Sequence, residues 1–295
     1  MIFKKPKFWD FQKPNLISYL LLPLTLPILI NNYFLKSQRN KENKIFKICV
    51  GNIYIGGTGK TPLSIKICNL LSQKNLKSVI IKKFYKDQVD ERKLIENYSN
   101  LICNKSRIEA TETAINQNYK YAVFDDGLQD RSINYDLRLV CFSNLLWIGN
   151  GFLIPAGPLR ERIGSLKKYD AVILNGDPFL NVKLIEQIKK INDKIEIFES
   201  NYKIKNIKDF DKQHNYVIFS GIGNSKSFYE LLKNNNFKIL KEKKVKISKS
   251  EAEKFYQVHQ TKPFYNDLCE YLSSGPIVVM ILERNDAVTE NRKLM

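Results

Sequence analysis

Apolar residues fall in short runs along this chain, most of them ending at a glycine, an asparagine or a carboxylate. Ile45–Val50 is the first run that reads as a strand. It passes directly into Gly51-Asn52-Ile53-Tyr54-Ile55-Gly56-Gly57-Thr58-Gly59-Lys60-Thr61-Pro62, and a helical segment follows from Leu63 to Leu71. Ser78–Ile81, Tyr121–Phe124, Leu137–Phe142 and Asp170–Asn175 repeat the strand-length pattern. Arg107–Asn116 and Val182–Ile191 have the wider spacing of helices, and the polar stretch from Lys82 to Asn100 reads as a loop with a short helix. Tyr216–Asn224 opens a second α/β unit, with a helix expected over Ser227–Lys233. Strands alternating with helices predict an α/β fold built on a mostly parallel sheet.

One apolar run does not fit this alternation. Leu16–Ile30 contains Pro23 and Pro27, stops at Asn31-Asn32, and is preceded by lysines mixed with Phe3, Phe8, Trp9 and Phe11. It is shorter than the roughly 20 residues that span a bilayer, and it lacks the small-residue cleavage site of a signal peptide. Basic and aromatic flanks predict a helix lying on or dipping into a membrane interface. A buried core helix is the alternative.

The chain has 295 residues, 43% of them hydrophobic, enough for two domains and a sizeable core. The formal charge of +18 suits a partner bearing phosphates, although abundant Lys, Asn and Ile give part of it a compositional origin. Nucleic-acid binding would rest on that charge alone, and none is expected. The five cysteines are far apart and form no CxxC pair, which suits a reducing compartment and offers no zinc site.

Strand, glycine-dense turn and helix make the layout of a phosphate-binding loop. Gly56, Gly57, Thr58 and Gly59 would let backbone N–H groups curl around a polyphosphate. Lys60 would neutralise its outer oxygens, and the Thr61 hydroxyl would face Mg²⁺. Tyr54 stands where the usual spacing has its first glycine, so a chance glycine-rich turn is the competing reading. The strand at Tyr121–Phe124 ends in Asp125-Asp126-Gly127, two acids at a strand tip where a nucleotide-binding sheet places a metal-binding carboxylate. Their mutual repulsion favours a cation there; a plain Asp-Gly turn is the alternative.

Five ordered motifs resemble the tetraacyldisaccharide 4'-kinase family, over roughly residues 8–240. They are Val50-Gly51-Asn52 with Gly56–Pro62, Asp125-Asp126-Gly127-Leu128-Gln129, Gly149-Asn150-Gly151, Pro155-Ala156-Gly157-Pro158-Leu159-Arg160-Glu161, and Phe219-Ser220-Gly221-Ile222-Gly223-Asn224. The resemblance implies a P-loop NTPase-type fold and transfer of the ATP γ-phosphate to the 4'-hydroxyl of a lipid A disaccharide precursor. It places that reaction at the cytoplasmic face of the inner membrane, peripherally or shallowly inserted. It also implies roles: Lys60 and Asp90 in catalysis, and Thr61, Glu91, Asp125 and Asp126 at the metal. Asp90-Glu91 falls where the family has Gly-Asp-Glu-Pro, with Val89 and Arg92 replacing the flanking residues. Asp130 stands where the family usually has His, and the family's later Asp-His-His-like segment has no match.

From about Lys243 the chain resembles nucleoside diphosphate kinase instead, through Ser248–Tyr256, Lys262–Tyr265, Ser274–Val279, Asn285–Val288 and Asn291–Met295. Tyr256, Phe264 and Arg292 match nucleotide-contacting positions of that family. The phospho-accepting histidine has no counterpart and His259 matches a different position, so no phosphotransfer by this segment is expected. The expected organisation is a membrane-associated segment (1–35), a P-loop kinase domain (36–205), the start of a second α/β domain (206–242) and a partial ferredoxin-like fragment (243–295). The rival functional reading is an inactive nucleotide-binding fusion. A partitioning-type ATPase would want a lysine where Ile55 sits.

Overall fold

The computed structural model describes residues 5–33, 44–85, 88–130, 132–202, 216–220, 238–257, 260, 265–274 and 277–283. The chain divides into two compact units, Met1–Asn201 and Tyr202–Met295. The first is built on seven strands: β1 (Phe46–Gly51), β2 (Ser78–Lys83), β3 (Leu101–Asn104), β4 (Tyr121–Asp125), β5 (Leu137–Ser143), β6 (Ala171–Asn175) and β7 (Glu196–Ser200). All neighbouring pairs are parallel, in the order β3-β2-β4-β1-β5-β6-β7. This is the expected α/β class.

The central strands are buried on both faces, which is why they read as near-continuous apolar runs. Ile48, Val50, Ile80 and Val123 pack with Ile65 and Cys68 on one side of the sheet. Cys49, Val79, Ile81 and Phe124 pack with Ala110 and Ala114 on the other. Those partners come from α3 (Lys60–Gln73) and α5 (Arg107–Asn116). The helix expected at Leu63–Leu71 is longer at both ends. Ser106 caps α5, its Oγ accepting from the Glu109 N–H. Two further helices complete the layers, α4 (Val89–Glu96) on the α3 face, anchored by Ile95, and α6 (Asn181–Ile191) on the opposite face, anchored by Leu184 with Ile188.

The N-terminal apolar run is not one helix. It forms α1 (Leu16–Leu20), a 3-10 turn (Leu22–Thr25) and α2 (Leu26–Tyr33). Pro23 and Pro27 each sit in the first turn of the piece they start, where a missing N–H costs nothing, and each stops the piece before it. It is not a core helix either: Leu16, Leu20, Leu24 and Leu26 are 75%, 70%, 60% and 57% exposed. Among the described residues no helix is long and apolar enough to cross a membrane. The segment is nonetheless firmly docked. Trp9 is 1% exposed and donates its indole N–H to the Pro155 carbonyl, while the Asn150 amide donates to Ser18 Oγ at 2.9 Å.

The second unit contains β8 (Tyr216–Ser220), β9 (Lys238–Val245) and β10 (Ile277–Glu283), antiparallel in the order β8-β10-β9. The boundary expected near residue 242 falls inside β9, so segments from either side of it share one sheet. Helices Lys249–Phe255 and Tyr265–Ser274 pack through Ala252, Tyr256, Cys269 and Leu272. The helix expected at Ser227–Lys233, the Gly221–Asn224 motif, His259, Phe264 and Arg292 lie outside the described residues.

Candidate active site

β1 delivers the chain to the loop at its C-terminal end. Its last residues pair with β4 so that Val50 lies opposite Asp125, which brings the two acids level with the start of the glycine-rich turn. Gly59, at φ +87°, caps α3, and Lys60 is the first residue of that helix. A left-handed backbone is ordinary for glycine and strained for other residues. The partial positive charge of the α3 N-terminus therefore faces the loop.

The loop is braced from beneath by Asn52, a residue with no role assigned from sequence. Its side-chain amide donates to the Gly56 carbonyl and to Thr58 Oγ1, both at 3.1 Å, and its backbone carbonyl accepts from Gln129 Nε2. Gly57 needs no special φ, and a Cβ built there meets nothing within 4 Å. Gly57→Ala is thus expected to leave Tm within about 1 °C of the parent. If phosphates approach this backbone, the same methyl group will weaken nucleotide binding at least about tenfold. Calorimetric titration beside a thermal melt reads both, and unchanged affinity would move the phosphates elsewhere.

Five of the residues proposed from sequence converge here. Thr61 Oγ1 donates to Asp125 Oδ2 at 3.0 Å, and Ser64 donates to Asp125 Oδ1 at 3.3 Å. Lys60 Nζ lies 3.8 Å from Asp126 Oδ1. Asp125 is 1% exposed. Glu91, on α4, is linked to Asp125 through Lys82, whose Nζ reaches Glu91 Oε2 at 2.6 Å and Asp125 Oδ2 at 2.8 Å. Asp90 is exposed on the first turn of α4, next to Glu91. Among the described residues no three of His, Cys, Asp and Glu form a ready-made metal cluster.

Asp126 is held from several sides. It has a left-handed backbone (φ +58°), its N–H donates to the Val50 carbonyl, and its carbonyl accepts from Arg107 Nη2. Burial alone would raise its pKa, but Lys60 and Arg160 outweigh that and hold the carboxyl below the usual range. Since the folded value is depressed, this contributes stability above the unfolded pKa that is lost as pH falls through the folded one. Arg107 also pairs with Asp130 at 2.6 Å, giving Asp130 a bracing role in the position that resemblance associates with His.

The Gly/Pro-rich loop supplies a further cation to the site. Ile55 N–H donates to the Pro158 carbonyl and Arg160 N–H to the Ile53 carbonyl, so the two loops are zipped together. Arg160 Nη1 then donates to Asp126 Oδ1 and Gln129 Oε1, both at 3.0 Å. Behind it, Gln129 Nε2 and the Tyr169 hydroxyl both donate to the buried Glu161 carboxylate. Three cations (Lys60, Lys82 and Arg160), a hydroxyl and a helix N-terminus thus face one acidic strand tip, an arrangement suited to gathering phosphate oxygens and a hard cation.

The family model described as tetraacyldisaccharide-1-P 4'-kinase matches residues 20–247, and that of nucleoside diphosphate kinase matches residues 223–295. The two matches overlap across 223–247. The chain is 51% identical over 240 residues to the tetraacyldisaccharide 4'-kinase of Pelagibacter ubique (strain HTCC1062), covering 81% of this chain and 76% of that one. Against the enzyme of the same name from Rickettsia canadensis (strain McKiel), identity is 34% over 256 residues, covering 80% of this chain and 75% of the relative. A solved Aquifex aeolicus LpxK structure in complex with ATP superposes with a TM-score of 0.46 at 19% identity, covering 68% of this chain and 86% of that one. The chain belongs to the tetraacyldisaccharide 4'-kinase family.

Proposed function

We propose that this kinase moves the γ-phosphoryl group of ATP to the 4'-hydroxyl of a tetraacyl glucosamine disaccharide 1-phosphate, a lipid A precursor, at the cytoplasmic face of the inner membrane. The observation that carries the reading is the meeting of Lys60 and Thr61 with Asp126 and Asp125 at the mouth of a glycine-rich loop. Phosphoryl transfer asks for alignment and charge neutralisation more than for covalent chemistry. The loop amides and Lys60 hold the β- and γ-phosphates, and Arg160 adds a further cation at the same strand tip. Asp90 takes the proton from the 4'-hydroxyl as its oxygen bonds to phosphorus and the bond to the ADP oxygen breaks.

The donor set suits Mg²⁺. Thr61, Glu91, Asp125 and Asp126 offer only hard oxygen, and Mg²⁺ is usually held by one or two carboxylates plus substrate phosphates rather than by an all-protein cage. Those four residues would hold it. When bound, it neutralises and orients the β- and γ-phosphate oxygens.

The membrane assignment rests on the exposed leucines of the N-terminal segment and on its docking to the loop that carries Arg160. A lipid-embedded acceptor would then meet the site near the surface. The decisive experiment incubates the purified full chain with γ-labelled ATP, Mg²⁺ and the disaccharide 1-phosphate in mixed micelles. Labelled lipid and ADP should form one to one, and Asp90→Asn should lower kcat by about 10²–10⁴-fold. Nucleotide binding without transfer would overturn the proposal in favour of an inactive nucleotide-binding fusion. Membership of the kinase family across most of the chain favours transfer.

A further inference from the structure

Lys82 ends a fully apolar stretch of β2 and is only 4% exposed. A buried ammonium is costly unless paired, and this one is paired twice, to Asp125 Oδ2 at 2.8 Å and to Glu91 Oε2 at 2.6 Å. Asp125 is the buried last residue of the central strand β4. Glu91 belongs to α4, whose N-cap residue Gln88 makes no side-chain capping bond.

The far end of α4 is fixed by Ile95, which is fully buried in the sheet's core. Glu91 lies four residues earlier and so on the same helix face. Its bond to Lys82 anchors the near end. Arg92 stacks on the Phe84 ring at 4.6 Å, a second contact of that turn. We propose that Lys82 is a positioning residue, an ammonium bridge that fastens the first turn of α4 to the strand tip and so sets where Asp90 and Glu91 stand relative to the phosphate loop.

This inference rests on the functional reading above, and its test separates the two. Hydrogen–deuterium exchange of the full chain without nucleotide or metal would follow the amides of residues 88–97 in Lys82→Met, Glu91→Gln and the double variant. Glu91→Gln keeps the Lys82–Asp125 pair and so is expected to fold even if Lys82→Met does not. Each single change should speed α4 exchange about tenfold, with the double variant no faster than either. Amides of α3 and β4 should be unmoved in Glu91→Gln.

In the transfer assay Lys82→Met should lower kcat by about 10–100-fold, the range seen when a group that orients active-site ligands is lost. KM for ATP should stay within about threefold. Unchanged α4 exchange in either single variant, multiplicative effects in the double, or a full kcat in Lys82→Met would each overturn the bridge. Asp90→Asn tests the reading beneath it: full activity there removes the base assignment, whatever the exchange data show for Lys82.

Discussion

Lys60→Met is expected to lower kcat/KM for phosphoryl transfer by about 10³-fold, with little change in thermal stability. Removing one preorganised donor from developing oxyanion charge typically costs about 10²–10³ in rate, or roughly 3–4 kcal/mol. Lys60 is more than a neutral donor, because it carries a full charge at the mouth of the loop. Its side chain is 15% exposed, so solvent screens it only partly. Its ion pair with Asp126 is long, at 3.8 Å, and Asp126 keeps the closer Arg160 at 3.0 Å. The folded state therefore loses little when Lys60 goes, whereas a transferring phosphoryl group loses a cation.

Steady-state kinetics distinguish how that loss is divided. If Lys60 acts on charge that develops during transfer, kcat falls with kcat/KM; if it only binds ATP, KM rises and kcat is kept. A variant retaining parental kcat/KM would remove Lys60 from the site. A Tm drop of more than several degrees would instead mean that the 3.8 Å pair matters to the fold.

The sheet's centre was legible because its strands are buried on both faces and so appear as unbroken apolar runs. Its edges were not. β3 (Leu101–Asn104) is only half-buried along its length, and β7 (Glu196–Ser200) mixes Glu196 and Glu199 with Ile197 and Phe198. These are the two outermost strands in the order β3-β2-β4-β1-β5-β6-β7, and an edge strand covered on fewer sides has no reason to show a continuous pattern. The N-terminal run misled in another way. Its hydrophobicity was plain, but two prolines divided what periodicity alone reads as one helix.

At the site, local chemistry was legible and long-range chemistry was not. Lys60, Thr61, Asp125 and Asp126 sit in motifs whose spacing carries their chemistry. Arg160 lay inside a motif without a role, because its partners Asp126 and Gln129 are set by how two distant loops zip together through Ile53, Ile55 and Pro158, and Asn52 because only the folded turn brings Gly56 and Thr58 within its reach. Arg107 and Lys82 had no motif at all. Among 48 lysines and arginines, the one available signal for Lys82 was a basic residue abutting the apolar run Val79-Ile80-Ile81. Only the pairing of β2 with β4, which sets Lys82 opposite Asp125, turns that position into a site residue.

Leu16→Glu, Leu20→Glu and Leu24→Glu combined are expected to abolish binding to vesicles rich in anionic phospholipid while leaving the fold intact. The three side chains are 75%, 70% and 60% exposed, so a soluble fold gains almost nothing from them. Fully burying a leucine contributes about 1.5–3 kcal/mol. Three partly inserted leucines, at the low end of that range, supply roughly 4 kcal/mol, or about 10³ in a partition constant. The new carboxylates add a repulsive term against anionic lipid. Exposed Lys7 and Lys13 lie close in sequence, and each basic residue near such a surface adds about 1 kcal/mol that salt screens. Vesicle co-sedimentation of the parent should therefore weaken, without vanishing, between 0.1 and about 0.5 M salt. The triple variant should stay in the supernatant at every salt concentration, with a melting curve like the parent's. Sedimentation of the triple variant with vesicles would show that the exposed leucines are not what meets the lipid. Loss of parental binding at high salt alone would assign the attachment to the lysines and leave the apolar face without a membrane role.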